Sequence, residues 1–282
     1  MLEKQTENSN RKSNKIRNKT SKGSLLIVGA GIKAVRHITL EARESIMNCD
    51  KVLYLIGDPI VEIWIEKLRQ DAESLLNFYK EGKNRHQIYS EIVEYTLSYV
   101  RQGYNTCLVQ YGHPSVFAKL ITLSAIEKAH QEGFKAEILP GISAEDCLFA
   151  ELCIDPGDRG CQSFEATNFL AYRRKFDTFC HLILWQIGLI GEFQYNPNKN
   201  SKSVLGVLTD YLKRYYDSKH EVYVYQAARY SICKSLIQRI PLHKLPEAYV
   251  DITTTLYIPP IVPGEGTLDH TMVRRLGITA KV

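Results

Sequence analysis

Residues 24–31, Ser-Leu-Leu-Ile-Val-Gly-Ala-Gly, decide how this chain is read: a short apolar run reaches a glycine pair with no polar break inside it. A run of that kind is the pattern of a strand buried on both faces, and such strands belong to parallel sheets covered by helices. The residues that follow keep the rhythm. Thr39–Met47 predicts a helix and Lys51–Ile56 a second strand, ending in Gly57-Asp58-Pro59. Ile60–Arg69 predicts a helix, as does Asn84–Arg101, which is stopped by Gly103. Thr106–Gln110 predicts a third strand ending in Tyr111-Gly112-His113-Pro114, Val116–His130 a helix, and Phe134–Leu139 a strand running into Pro140-Gly141-Ile142-Ser143. This βα alternation implies an α/β fold with a parallel sheet.

From residue 143 the pattern changes. One short helix (Ala144–Leu152) and an Asp155-Pro156-Gly157 turn precede four β-like runs, Cys161–Ala166, His181–Gln186, Glu221–Gln226 and Thr253–Ile258, with a helix over Val204–Tyr216. A second α/β lobe with a mixed sheet is expected. The reading divides the chain into a disordered basic tail (1–22), an N-terminal lobe (23–139), a C-terminal lobe (140–262) and a tail (263–282) that wraps the surface or touches a partner.

The 282 residues are 44% hydrophobic and 24% charged, enough to bury a sizeable core. The apolar stretch Leu182–Ile190 is interrupted by Gln186 and falls short of the roughly 20 residues that span a bilayer. The first twenty residues hold no apolar segment of the signal-peptide kind, so a cytoplasmic location is expected. The net charge of +5 resides in residues 1–22, which carry seven basic side chains (Lys4, Arg11, Lys12, Lys15, Arg17, Lys19, Lys22) against Glu3 and Glu7. The remainder is balanced at 29 basic and 29 acidic residues, which disfavours a nucleic-acid-binding body. The seven cysteines form no C-x-x-C pair and lie at no metal-finger spacing, so they read as reduced, mostly buried thiols. Seventeen tyrosines are an unusual number and direct attention to a site built from phenols.

Gly29-Ala30-Gly31-Ile32-Lys33-Ala34 satisfies the G-x-G-x-x-A dinucleotide fingerprint, with Asp50 or Asp58 available for a ribose. Against that reading, the next helix begins near Thr39 rather than at the second glycine. The more informative feature is that the loops after four predicted strands (29–31, 57–59, 111–114 and 140–143) fall on the carboxyl edge of one sheet, where open α/β proteins bind small molecules.

With these segments in order, the chain resembles a known family. V-G-A-G-I (28–32), T-L-x-A (39–42), Y-G-H-P-S-V-F (111–117), P-G-I-S-A-E-D-C-L (140–148) and D-P-G (155–157) resemble the tetrapyrrole methylase superfamily, two-lobed enzymes that use S-adenosylmethionine. Y-G-H-P, C-Q-S-F-E-A (161–166), H-L-I-L-W-Q-I-G (181–188) and T-T-L-Y-I-P-P (254–260) narrow the resemblance to the borosin-type peptide backbone α-N-methyltransferases. The resemblance implies a metal-free site with the cofactor in the cleft between the lobes, on Tyr111, His113, Val116, Phe117, Ser143, Ala144, Gln186, Tyr225 and Thr255. Gln186 has an alternative role in satisfying neighbouring backbone groups, and His113 in capping its turn. Family members often carry glycine where this chain has Ser115, and serine would be strained there if the position needed positive φ.

The resemblance also implies a catalytic cluster of Tyr79, Arg85, Tyr89 and Tyr111. Arg85 and Tyr89, four apart at the start of a helix, share one face. A peptide nitrogen is a poor nucleophile because its lone pair is delocalised into the carbonyl. Methylating it requires loss of the N–H proton while negative charge grows on the amide oxygen. A guanidinium and a phenol aimed at that oxygen would act as an oxyanion hole, and a second phenol would take the proton. In this reading Arg85 and either Tyr79 or Tyr89 hold the carbonyl. The competing reading pairs Arg85 with Glu81 or Glu91 on a solvated helix.

Some members of the family carry their substrate as a C-terminal extension. Here about 22 residues follow Pro260 and include Arg274, Arg275 and Lys281, so a split system is expected, with the precursor peptide bound in trans to a homodimer. Alternatives are methylation of a tetrapyrrole or of an RNA or translation-factor target on the same fold, and a non-catalytic peptide-binding module.

Overall fold

A computed structural model describes residues 22–80, 82–192, 202–262 and 269–277; most of the predicted basic tail, Glu81 and most of the predicted C-terminal tail lie outside the described residues. The first lobe is built on β1 (Ser24–Gly29), β2 (Lys51–Leu55), β3 (Glu73–Ser74), β4 (Asn105–Gln110) and β5 (Lys135–Ile138), a sheet of order β3-β2-β4-β1-β5. Every pairing in it is parallel.

Alternation along these strands sends side chains into two separate cores. Leu25, Ile27, Leu53 and Leu108 meet Ile88, Ile92, Leu97 and Val100 of α3 (Arg85–Arg101) and Ala125 and Ala129 of α4 (Ser124–Gln131). Val28, Val52, Tyr54, Cys107 and Val109 meet Ala42 and Ile46 of α1 (Leu40–Asn48) and Val61 and Ile65 of α2 (Pro59–Leu68) on the other face. Each fully buried aliphatic chain contributes about 1.5–3 kcal/mol, so a sheet covered on both faces is the stable outcome of these apolar strands. The helix starts are fixed locally: Thr39, Asp58 and Asn84 each accept first-turn backbone N–H groups. The predicted helix over Val116–His130 is only partly formed. Phe117 takes positive φ (+56°) and Lys119–Leu123 is a single π-type turn ahead of α4.

The second sheet has the order β6-β7-β10-β8-β9, with strands Cys161–Glu165, His181–Trp185, Thr255–Ile258, Glu221–Gln226 and Leu236–Pro241 respectively. β6 runs parallel to β7 and the other pairs are antiparallel, which is the expected mixed sheet. One face packs Leu182, Leu184, Val222, Val224 and Leu256 on Phe169 of α7 (Ala166–Ala171) and on Leu205, Leu208 and Leu212 of α8 (Lys202–Leu212). The opposite face carries Ile183, Trp185, Tyr225 and Tyr257, and it meets Cys147 and Leu148 of α5 (Ala144–Leu152) together with Ile32 of the first lobe. That contact brings the two lobes edge to edge. Two short helices, α6 (Pro156–Arg159, where the sequence reads as a turn) and α9 (His270–Arg275), complete the described structure.

The cysteines correct one expectation. All seven are free, but only Cys107 and Cys147 are buried; Cys49, Cys161 and Cys180 are half-buried, and Cys153 and Cys233 are exposed. No described helix is long and apolar enough to cross a membrane.

The buried weak acids set an alkaline limit on stability. Burial, and then the hydrogen bond from the Tyr54 hydroxyl to Glu66 (2.7 Å), push the phenol up to about 12. Burial, then nearby carboxylates, push Cys147 to about 11 and Cys161 to about 12. The fold favours the neutral form of each group. Their contribution is therefore complete below the ordinary values of 9.0 for the thiols and 10.0 for the phenol, and it is lost as pH rises towards 12. The urea midpoint is expected to fall steadily above pH 9 and to be flat just below it. A midpoint that stays constant through that window would contradict the assignment.

Candidate active site

Parallel strands end together, so the loops after β1, β4 and β5 meet at one edge. Gly31 and Gly112 exchange backbone hydrogen bonds (3.2 and 3.1 Å), and Ala30 donates to the Gln110 carbonyl at 2.7 Å. The approach is close enough to demand glycine. A Cβ on Gly29 would sit 2.2 Å from the Gly112 carbonyl oxygen, and one on Gly141 would sit 3.0 Å from the same atom. Gly29→Ala must push these backbones apart and is expected to cost about 1–3 kcal/mol. Gly206→Ala, on α8 with nothing within 4 Å of the added carbon, is expected to gain about 0.5–1 kcal/mol. Urea unfolding of the two variants checks both signs.

After Gly31 the chain turns rather than entering a helix: Lys33 N–H donates to His37 Nδ1, and Ala34 N–H donates to the Arg229 carbonyl at 2.7 Å. The dinucleotide reading fails on this geometry. Its acids are also used elsewhere. Asp58 caps α2 and accepts the Tyr230 hydroxyl at 2.9 Å, while Asp50 lies at the amino edge of the sheet and accepts the Asn105 N–H.

The glycine contacts form the floor of a 250 Å³ cleft between the lobes, lined by Ile32, Tyr111, Gly112, His113, Val116, Phe117, Ser143, Ala144, Trp185, Gln186, Gln226, Ala227, Arg229, Ile252 and Thr253. Seven of the nine residues predicted to hold a cofactor are among them: Tyr111, His113, Val116, Phe117, Ser143, Ala144 and Gln186. The other two do not line it. Tyr225 is fully buried behind the wall with its hydroxyl donating to Glu151 at 2.8 Å, and Thr255 is its buried partner across β8 and β10.

Local chemistry explains how the lining is held. Ser143 caps α5 in a reciprocal box: its hydroxyl donates to Asp146 Oδ2 (2.7 Å) and accepts the N–H groups of Glu145 and Asp146. His113 Nδ1 accepts the Ser115 N–H at 3.0 Å, which caps the turn and leaves the proton of the neutral ring on Nε2. Ser115 is not at positive φ; Gly112 and Phe117 are the positive-φ residues of this loop. Gln186 is also held at positive φ (+55°), and among the described residues its carboxamide has no hydrogen-bond partner. Two non-glycine residues in left-handed backbone at one cleft are a conformational cost that clusters at ligand sites.

Tyr111 faces the cleft with the Arg229 guanidinium 5.9 Å from its ring centre. Burial pushes its hydroxyl up, and Arg229 works in the opposite direction. Tyr79 and Tyr89 meet edge to face with ring centres 6.3 Å apart, against the core beneath α3. Arg85 is the first residue of α3, half-buried, one turn before Tyr89. Because α3 joins β3 to β4 of a parallel sheet, its first turns lie at the same carboxyl edge as Tyr111. No hydrogen bond or ring contact among the described residues joins Tyr111 to Arg85 or Tyr89. Glu91 does not pair with Arg85: it accepts from Lys83 and from Gln87.

Sequence reading passed over Trp185, Gln226, Thr253 and Arg229. Gln226 and Thr253 converge on Asp251, whose burial would raise its carboxyl pKa but whose hydrogen bonds from Thr253, Thr254 and Gln226 bring it below the usual range. Among the described residues no group of three or more His, Cys, Asp or Glu side chains is placed to hold a metal.

The sequence profile described as "Tetrapyrrole (Corrin/Porphyrin) Methylases" matches residues 24–231, and the chain belongs to that family. Two solved structures share the fold: the uroporphyrin-III-C-methyltransferase of Thermus thermophilus (TM-score 0.59, 14% identity, 88% of this chain and 100% of that one) and a cobalt precorrin-4 methyltransferase (TM-score 0.58, 19% identity, 84% and 94%). Among curated proteins the chain is similar to the methyltransferase and lentinulin A precursor of Lentinula edodes, at 39% identity over 84% of this chain and 58% of that protein. It is also similar to the methyltransferase and type I borosin cyclic peptide precursor of Coprinopsis marcescibilis (38%, 91% and 67%) and the methyltransferase and omphalotin A precursor of Omphalotus olearius (37%, 91% and 62%). The chain spans roughly three fifths of the length of these relatives.

Proposed function

We propose that the protein transfers methyl groups from S-adenosylmethionine to backbone amide nitrogens of a ribosomally made peptide that reaches the active site as a separate molecule. The observation that carries this reading is the cleft itself, in which Tyr111, Phe117 and Trp185 supply aromatic walls and Gln186 a carboxamide with no hydrogen-bond partner among the described residues. A nucleoside with a sulfonium and an amino-acid tail fits that set. Aromatic faces suit its adenine and its cation, and fixed polar groups suit its tail. When bound, the cofactor supplies an already activated methyl group. The protein's part is to bring the amide nitrogen in line and within about 3–3.5 Å of it.

Arg85 with Tyr79 or Tyr89 holds the amide oxygen as charge develops there, and a second phenol removes the N–H proton. Burial raises the Tyr111 hydroxyl above its ordinary value, which suits it to donating a hydrogen bond. Residues 270–275 form a short helix with Arg274 and Arg275 in its last turn. The reading includes a homodimer, for which exposed Ile60 and Ile63 on α2 and Leu120 and Leu123 ahead of α4 offer apolar surface.

The test supplies cofactor with a labelled methyl group to the protein together with an apolar peptide, a tetrapyrrole or RNA, in separate reactions. Label is expected in the peptide alone. Label in the tetrapyrrole or RNA instead would replace this reading with the other substrate classes the fold serves, and cofactor binding without transfer to anything would favour a binding module.

A further inference from the structure

Arg229 is the one lining residue of the cleft that carries a permanent charge; the other fourteen are neutral or, for His113, a weak base. It is half-buried at the end of the segment after β8, and its backbone is tied to the first lobe through the Ala34 N–H. Among the described residues it has no carboxylate at ion-pair distance. Two acids near the cleft are engaged elsewhere. Asp58 accepts from Ile60 N–H, Val61 N–H and the Tyr230 hydroxyl, and Asp251 from Thr253, Thr254 and Gln226. A guanidinium in a partly desolvated cleft with no counter-charge among the described residues is a site prepared for one, since its planar fork matches a carboxylate with two parallel hydrogen bonds.

From this geometry we infer that Arg229 binds the carboxylate of the amino-acid tail of an S-adenosyl ligand and so sets which end of the cleft that tail occupies. The inference rests on the cofactor reading above. It also orients the ligand: the cationic sulfur is kept away from Arg229 and from Tyr111, whose ring the guanidinium already faces, and against the faces of Phe117 or Trp185, where a cation is attracted rather than repelled.

Titration calorimetry with two probes tests it. S-adenosylhomocysteine carries the amino-acid tail and 5′-methylthioadenosine lacks it. Arg229→Gln is expected to weaken S-adenosylhomocysteine by roughly 10- to 100-fold, the loss associated with a charged hydrogen-bonded pair, and to leave 5′-methylthioadenosine unchanged. Arg229→Lys is expected to recover part of that loss. The unchanged second probe also reports that the variant is folded and its cleft intact. Equal weakening of both probes, or of neither, overturns the inference while leaving the cofactor reading in place. Failure of the unsubstituted protein to bind either probe overturns both.

Discussion

Arg85→Ala is expected to slow methyl transfer to the peptide by about 10²–10³-fold while leaving stability and S-adenosylhomocysteine affinity near their original values. The rate loss follows from the proposed chemistry: the charge that builds on the amide oxygen needs a fixed cation, and a methyl side chain supplies none. The unchanged stability follows from where Arg85 stands. It is the first residue of α3, where the positive end of the helix dipole disfavours a cation. Glu91 of the same helix is engaged with Lys83 and Gln87, not with Arg85. A helix that needed only stability would carry an acid at this position, so retaining arginine at a cost points to a task beyond folding. Normal turnover by a folded Arg85→Ala protein would remove Arg85 from the mechanism.

The largest effect on stability is expected at Phe169. Its ring is fully buried in the second lobe, 5.6 Å from Phe164, 5.2 Å from Phe176 and 5.5 Å from Tyr211. Phe169→Ala removes the shared member of three aromatic pairs and leaves a cavity under α7 and α8, at a cost of about 3–5 kcal/mol. Chemical unfolding measures it, and a loss below about 1 kcal/mol would mean that the second-lobe core collapses around the deletion. Because β7 and β8 carry Trp185 and Gln226 to the cleft, ligand affinity should fall together with stability in this variant, in contrast to Arg85→Ala.

The contrast between what the residues announced and what the structure added has physical causes. Buried parallel strands and capped helices were legible: Ala144–Leu152 and Glu221–Gln226 match their predicted limits, because a serine cap marks one and strand alternation between turns marks the other. Others were not, α6 and α9 among them, and for three the physical reason is plain. β3 is two residues long and has no periodicity to read. β9 is an edge strand with mostly exposed side chains, so no buried stripe identifies it. α7 starts directly from β6 at Glu165, whose carboxylate accepts the Thr167 and Asn168 N–H groups, and the predicted strand ran over the start of the helix. The predicted helix over Val204–Tyr216 ends instead at Leu212, the residues beyond it forming turns. The same division holds at the cleft. Its first-lobe half follows from where parallel strands end, which places Tyr111, His113 and Ser143 in advance. Arg229, Gln226 and Thr253 reach it from the antiparallel sheet, where position depends on pairings such as Tyr225 with Thr255 that no local motif encodes.

Fragmentation mass spectrometry of an apolar peptide, incubated in trans with the protein and S-adenosylmethionine, tests the central claim most directly. The account predicts successive gains of one methyl group each, located on backbone nitrogens and strongly reduced by Arg85→Ala. Methyl groups confined to side chains or termini, or a peptide of unchanged mass beside a protein that binds the cofactor, would contradict it.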